Sequence, residues 1–286
     1  MRHTRTSGAI RTSGTGGTNR SGTGTGTEAG TGTGTSTGTG TGTSTTKGTG
    51  TDEAYATYPA YDRDVTVTAE GLPDWLDPVA RAAAAVRPNQ LSRFLPPESG
   101  EGRQSAVLIL FGEGTAETGP ELLLMERSSA LRSHAGQPSF PGGALDPEDG
   151  DPHTTGPLRA ALREAEEETG LDPAGVQIFG VLPKLYIPVS RFVVTPVLAW
   201  WREPSPVGVV DPGETARVFT VPVAHLTDPA NRVTSVHPRG HKGPAFLVGS
   251  ALVWGFTAGL IDRILHFAGW ERPWDRSKQV PLDWHA

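Results

Sequence analysis

Arg163-Glu164-Ala165-Glu166-Glu167-Glu168-Thr169-Gly170-Leu171 is the stretch whose reading decides how this chain folds. Four of its nine residues are glutamates. Just before and within it, Leu158, Ala161, Leu162 and Ala165 recur at i, i+3, i+4 and i+7. That spacing predicts an amphipathic helix from about Pro157 to Thr169. Thr155 or Gly156 suits its cap, Pro157 its first turn, and Gly170 the left-handed residue after its last turn.

Residues three and four apart on a helix are neighbours, so Glu164, Glu167 and Glu168 share one face. Each like-charge pair costs about 0.2–0.5 kcal/mol. Anions near a helix C-terminus oppose its dipole at about 0.3–1 kcal/mol each. Arg159 and Arg163 offset part of this. Two readings follow from the helix alone: a solvated acidic face, or carboxylate oxygens arranged for a hard divalent cation. The surrounding sequence decides between them.

Upstream, Phe140-Pro141-Gly142-Gly143 supplies a turn where backbone can approach a ligand closely. From Gly143 to Leu171 the chain resembles the Nudix box, G-x5-E-x7-R-E-U-x-E-E-x-G-U with U aliphatic. Arg163, Glu164, Glu167, Glu168, Gly170 and Leu171 match its second half, with a small Ala165 at the first U. The first half departs from the pattern. Asp149 stands at the first acidic position, and Arg163 falls 20 residues after Gly143, about six more than the box allows. The loop Asp146 to Pro157 is therefore long, and which upstream carboxylate serves the site stays open. A second run, Leu123-Leu124-Met125-Glu126-Arg127-Ser128, then Arg132, Gly136 and Phe140 to Gly143, is similar to L-L-T-x-R-S-x3-R-x3-G-x3-F-P-G-G. That signature marks Nudix hydrolases similar to coenzyme A diphosphatases; only its Thr is replaced, by Met125.

The resemblance implies an α/β fold, a Nudix-type α/β/α sandwich with a mixed sheet and a loop-helix-loop catalytic motif. It also implies Mg²⁺ or Mn²⁺, held directly by Glu164 and Glu168. Glu167 would be a further ligand or the base that activates water, and Arg163 would orient a glutamate. Arg127, Arg132, Phe140, Gly142 and Gly143 are the expected substrate-binding residues, the two guanidinium forks suiting phosphates. Glu166 falls off the shared face and should be solvated. Glu214, in Asp211-Pro212-Gly213-Glu214, is either a fourth carboxylate or a solvated loop acid. His134 and the basic run His237, Arg239, His241 and Lys242 are weaker candidates for substrate contact.

Composition excludes other classes. The chain has 286 residues and no cysteine, so it has neither a disulfide framework nor thiol chemistry of its own. No apolar run follows the basic N-terminus, and none reaches 18 residues, so neither a signal peptide nor a membrane span is expected. A cytoplasmic enzyme is the reading. Residues 1–50 carry a balance of +4 against −6 for the whole chain, leaving −10 on the remainder. An acidic body argues against a nucleic-acid groove.

Residues 1–52 are dominated by Gly-Thr dipeptides and bury too little apolar surface to offset their ordering entropy, so disorder is expected. Residues 53–102 read as a linker and N-terminal helical extension, with a helix stopping before Pro88. Residues 103–270 read as the Nudix domain and 271–286 as a tail. Strands are expected over Ala106–Phe111, Glu121–Glu126, Val176–Leu182, Phe192–Trp201 and Ala245–Val248. Pro196 suggests an edge or bulge in the fourth of these. Val218–Leu226 is ambiguous between strand and helix, and Leu252–Phe267 reads as a helix.

The expected substrate is a small nucleotide of coenzyme A type, cleaved at its diphosphate to 4′-phosphopantetheine and adenosine 3′,5′-bisphosphate. The alternatives are another nucleoside diphosphate conjugate, such as NADH or ADP-ribose, or a module that senses a nucleotide without cleaving it.

Overall fold

The structure, a computed structural model, describes residues 65–131 and 135–282. The Gly/Thr-rich leader of residues 1–52, expected to be disordered, lies outside these residues, as do Arg132 and His134.

Ahead of the sheet, a 3-10 turn (Asp74–Leu76) runs into α1 (Asp77–Ala85), which ends before Pro88 as expected. A single turn, α2 (Pro88–Leu91), follows. Then come β1 (Arg103–Gly112), β2 (Glu121–Arg127), β3 (Pro138–Ser139) and β4 (Gly142–Ala144). The helix read from the glutamate stretch is α3 (Gly156–Thr169), closed by Gly170 at φ 70°. After it run β5 (Val176–Val181), β6 (Leu185–Ile187), β7 (Phe192–Trp201) and β8 (Thr215–Pro222). The ambiguous stretch is both things in turn, since β8 leads directly into the short α4 (Val223–Thr227). The chain closes with β9 (Arg232–Val236), β10 (Lys242–Val248), β11 (Ala251–Val253), α5 (Gly255–Phe267) and β12 (Gln279–Pro281).

Among the described residues, eight strands form a mixed sheet with the path β3-β2-β1-β7-β5, to which β4, β6 and β8 attach. β1 and β7 run parallel at its centre, and β2 and β5 flank them antiparallel. Alternation along β1 splits the core in two. Ala106, Leu108 and Leu110 meet Leu158, Ala161, Leu162 and Ala165 of α3 on one face. Ile109 and Phe111 meet Leu76 and Val79 at the start of α1, with Ile261 and Leu265 of α5, on the other. Each Leu, Ile, Val or Phe among them contributes about 1.5–3 kcal/mol when fully buried. The result is the expected α/β/α sandwich, with α3 held against the sheet by its apolar stripe and its glutamates turned toward the rim.

Pro196 does not mark an edge. It lies in the central strand, paired with Val107 of β1. Its carbonyl, on the other side, accepts from the Leu182 N–H at 2.9 Å, where β5 has ended and β6 has not begun. The ladder needs no donor from β7 at that gap, so the missing N–H costs nothing. Bulging occurs instead in β5, between Ile178 and Gly180.

The segment after Gly269 carried no readable pattern. It builds part of a second, four-stranded sheet, where β12 pairs in parallel with β9. Under it Arg232 is fully buried, its guanidinium paired with Asp262 of α5 and 3.6 Å from Glu271. The rings of Trp274 and Phe246 lie 4.6 and 5.0 Å from its central carbon. Arg263 and Arg276 pair in turn with Asp262 and Glu271.

Candidate active site

The face that α3 turns to the rim is organised by two side chains. The first is Glu168, with only 7% of its side chain exposed. Its Oε2 accepts the Gly142 N–H at 2.9 Å. Glycine is required there, because φ is 153° and a Cβ would run into the Ala106 carbonyl and the Val107 backbone. The neighbouring Gly143 is needed for a second reason: a Cβ on it would overlap the Glu164 carboxylate. The Pro-Gly-Gly turn thus presses backbone directly onto two glutamates of the helix. Arg127 approaches from β2, where the pairing with β8 slips between Glu126 and Arg127. Such a bulge re-aims a side chain, and here the Arg127 Nη1 comes to 3.8 Å from Glu168 Oε1.

The second organiser is Arg163. Its Nε and Nη2 donate to the two carboxylate oxygens of Asp149 at 3.2 and 3.0 Å, and Nη2 also donates to the Ala144 carbonyl at 3.1 Å. Its Nη1 donates to Glu164 Oε1 and Glu167 Oε2, each at 3.1 Å. Bidentate charge-assisted pairing of this kind fixes geometry as well as energy. Asp149 is itself 3% exposed and held by the Asp146 N–H at 2.9 Å. The long loop therefore does bring Asp149 to the site, as a partner of Arg163.

Charge here is in surplus. Burial pushes the Glu168 carboxyl up to about 8; the Gly142 N–H and Arg127 oppose this, while Glu164 and Glu214 add to it. Burial likewise raises Glu164, with Arg163 pulling against it and Glu167 reinforcing it. Burial alone would lower the Arg163 guanidinium, but its bond to Asp149 and the charges of Glu164, Asp149 and Glu167 outweigh that and hold it above its ordinary value. Among the described residues, no three His, Asp or Glu side chains are gathered closely enough to hold an ion as they stand. Arg163 draws Glu164 and Glu167 to itself. The donor set nonetheless suits a hard divalent cation, because Glu164 and Glu168 offer carboxylate oxygens whose negative charge the protein itself leaves under-compensated.

Other expectations fare differently. Phe140, expected to meet substrate, is 3% exposed and packs in the core with Phe111 and Leu124. Glu167 is 54% exposed, the outermost of the three glutamates. Glu166 is partly buried, not solvated. Glu214 is exposed on a tight turn, its carbonyl accepting the Ser128 N–H at 2.8 Å, and its charge is felt by Glu168. His237, Arg239 and His241 form the turn between β9 and β10 of the second sheet. Arg132 lies outside the described residues. The Gly142 N–H and the Asp149 clamp escaped the sequence; the spacing of Asp149 from Gly143 was the one signal that pointed to the second.

The NUDIX domain pattern matches residues 102–237. A protein from Citrobacter koseri named uncharacterized Nudix hydrolase NudL is 38% identical over 195 residues, covering 61% of this chain and 90% of that protein. Its namesake from Cronobacter sakazakii is 36% identical over 206 residues, covering 68% and 95% respectively. Among solved structures, the Nudix hydrolase RenU from M. Smegmatis is 20% identical with a TM-score of 0.39, over 62% of this chain and 95% of that one.

Proposed function

This chain belongs to the Nudix hydrolase family, whose members act on pyrophosphate bonds of nucleoside diphosphate derivatives, and from that premise we propose that it cleaves coenzyme A or an acyl-coenzyme A. The products are 4′-phosphopantetheine and adenosine 3′,5′-bisphosphate. The observation that carries the catalytic reading is the buried Glu168 carboxylate, seated on the Gly142 N–H beside Glu164 with little countercharge of its own. The substrate class is supported by the run from Leu123 to Gly143 and its likeness to the coenzyme A diphosphatase signature.

Glu164 and Glu168 would hold Mg²⁺ or Mn²⁺ directly, with Glu167 as a third ligand or as the base. Such an ion, when bound, polarises the diphosphate and lowers the pKa of an attacking water. The protein's own part is positioning and charge. Gly142 fixes the orientation of Glu168, and Arg163 fixes those of Glu164 and Glu167. Arg127 brings a guanidinium to the rim, where it suits a substrate phosphate. Glu214 supplies a further acid opposite Glu168.

The test is a panel of coenzyme A, NADH, ADP-ribose and nucleoside triphosphates, incubated with purified protein and Mg²⁺ or Mn²⁺. Coenzyme A should be turned over, and Glu168→Gln should abolish most of that turnover. Cleavage of NADH or ADP-ribose in place of coenzyme A would overturn the substrate. Binding without cleavage anywhere on the panel would overturn the reaction and favour a nucleotide-sensing module.

A further inference from the structure

Arg163 controls two glutamates, and Asp149 controls Arg163. Asp149 is seated locally by the Asp146 N–H and the 3-10 turn Pro147–Asp149, and the surplus of about six residues follows it, between Asp149 and Arg163. An insertion of that length, next to the turn that carries Asp149, is free to pull on it unless it has its own tie to the sheet. The tie comes from the gap between β5 and β6. There the Lys184 ammonium donates to the Pro152 carbonyl of the loop at 2.8 Å and to the Gln104 side-chain oxygen at 3.1 Å. Gln104 belongs to β1, and its own carbonyl accepts the N–H of Leu145, where β4 leads into the loop. One cation therefore joins the loop's far side to the strand that anchors its near side. Between these anchors, the Asp151 carbonyl accepts the N–H groups of Thr154 and Gly156, folding the inserted residues onto the start of α3. Burial lowers the Lys184 ammonium and the charge of Asp151 partly restores it.

We propose that Lys184 is a positioning residue for hydrolysis: it tethers the inserted loop to the sheet, which keeps Asp149 on Arg163 and thereby fixes Glu164 and Glu167. The proposal rests on the catalytic reading of α3. Lys184 touches none of the glutamates; it acts through Pro152, Asp149 and Arg163 in series. Outer partners of this kind are worth about 10–100-fold when they orient groups around a metal.

The experiment compares wild type with Lys184→Met, which keeps the length and removes the donors, and with Lys184→Arg, which keeps them. The first readout needs neither metal nor substrate: the Nε–H resonance of Arg163, which reports its bond to Asp149, together with amide exchange across residues 149–156. Lys184→Met should move that resonance and accelerate exchange in the loop, and Lys184→Arg should resemble wild type. The second readout is steady-state hydrolysis of coenzyme A with Mg²⁺. Lys184→Met should lower kcat about tenfold with little change in KM, and Lys184→Arg should recover most of it. An unmoved Arg163 resonance in Lys184→Met overturns the tether. A loosened loop with unchanged kcat overturns the coupling to hydrolysis, and so does an arginine variant as slow as the methionine one. Wild type that leaves coenzyme A intact would sink the substrate reading alone, because the Arg163 resonance still decides the tether.

Discussion

Around Arg232, buried charges nearly cancel. Three arginines (Arg232, Arg263, Arg276) meet two acids (Asp262, Glu271), and two aromatic rings cover the innermost cation. Around α3 the balance is quite different. Two arginines (Arg127, Arg163) meet five acids (Asp146, Asp149, Glu164, Glu167, Glu168), and the most buried glutamate has its guanidinium no nearer than 3.8 Å. Both clusters lie under comparable burial, so the contrast is one of compensation. A neutralised cluster holds elements together, while an uncompensated one is the kind of arrangement that gathers at functional sites.

The sharpest test of that contrast is Glu168→Gln. Turnover of coenzyme A with saturating Mg²⁺ should fall by about 10³-fold, the scale of losing a charge-stabilising group at a reacting phosphate. Retained turnover would remove Glu168 from the site and break the comparison at its acidic end. Asp262→Ala attacks the other end. It removes the nearest partner of the buried Arg232, leaving only Glu271 at 3.6 Å, and should cost about 3 kcal/mol in urea unfolding, with hydrolysis per folded molecule unchanged at permissive temperature. A loss of activity with intact stability would mean that the second cluster is not structural.

A third test uses pH. The native Glu168 carboxyl is pushed from an ordinary 4.5 up to about 8, so the metal-free native state binds this proton more tightly than the unfolded chain does. The associated stability is complete below about 4.5 and disappears as pH rises through about 8. Wild type should therefore lose unfolding free energy relative to Glu168→Gln by on the order of a few kcal/mol between about pH 5 and pH 9. A pH-independent difference would show that the carboxylate is already compensated. The smallest effect expected is that of Asp149→Asn, which removes one of the five acids, leaves four against two arginines, and slackens Arg163. It should lower kcat about 10–100-fold and leave KM nearly unchanged.

Much of this was legible in the sequence, for identifiable reasons. The strand over Phe192–Trp201 and the helix ending at Gly170 announce themselves by continuous apolar runs and a 3.6-residue period. Arg163, Glu164, Glu167 and Glu168 are legible because their spacing within one helix sets which of them meet. Contacts between distant segments leave no such trace. Nothing local says that the Gly142 N–H finds Glu168, that Phe140 turns inward, or that Lys184 reaches Pro152 across 32 residues. The second sheet was missed for the same reason, since β12 earns its place only by lying beside β9.

Pro196 has a consequence for how such a chain can be altered. Together with Pro183 opposite it, Pro196 offers no amide where Leu182 leaves β5; the two prolines keep residues 182–184 from zipping into a continuous strand, and Lys184 sits within that opening. Ordinary residues at both positions would invite the edge to close, and the lysine would be drawn into the pleat and away from its carbonyl. A residue commonly read as an interruption here works as a spacer, reserving a slot in the sheet for the side chain that anchors the loop beyond it.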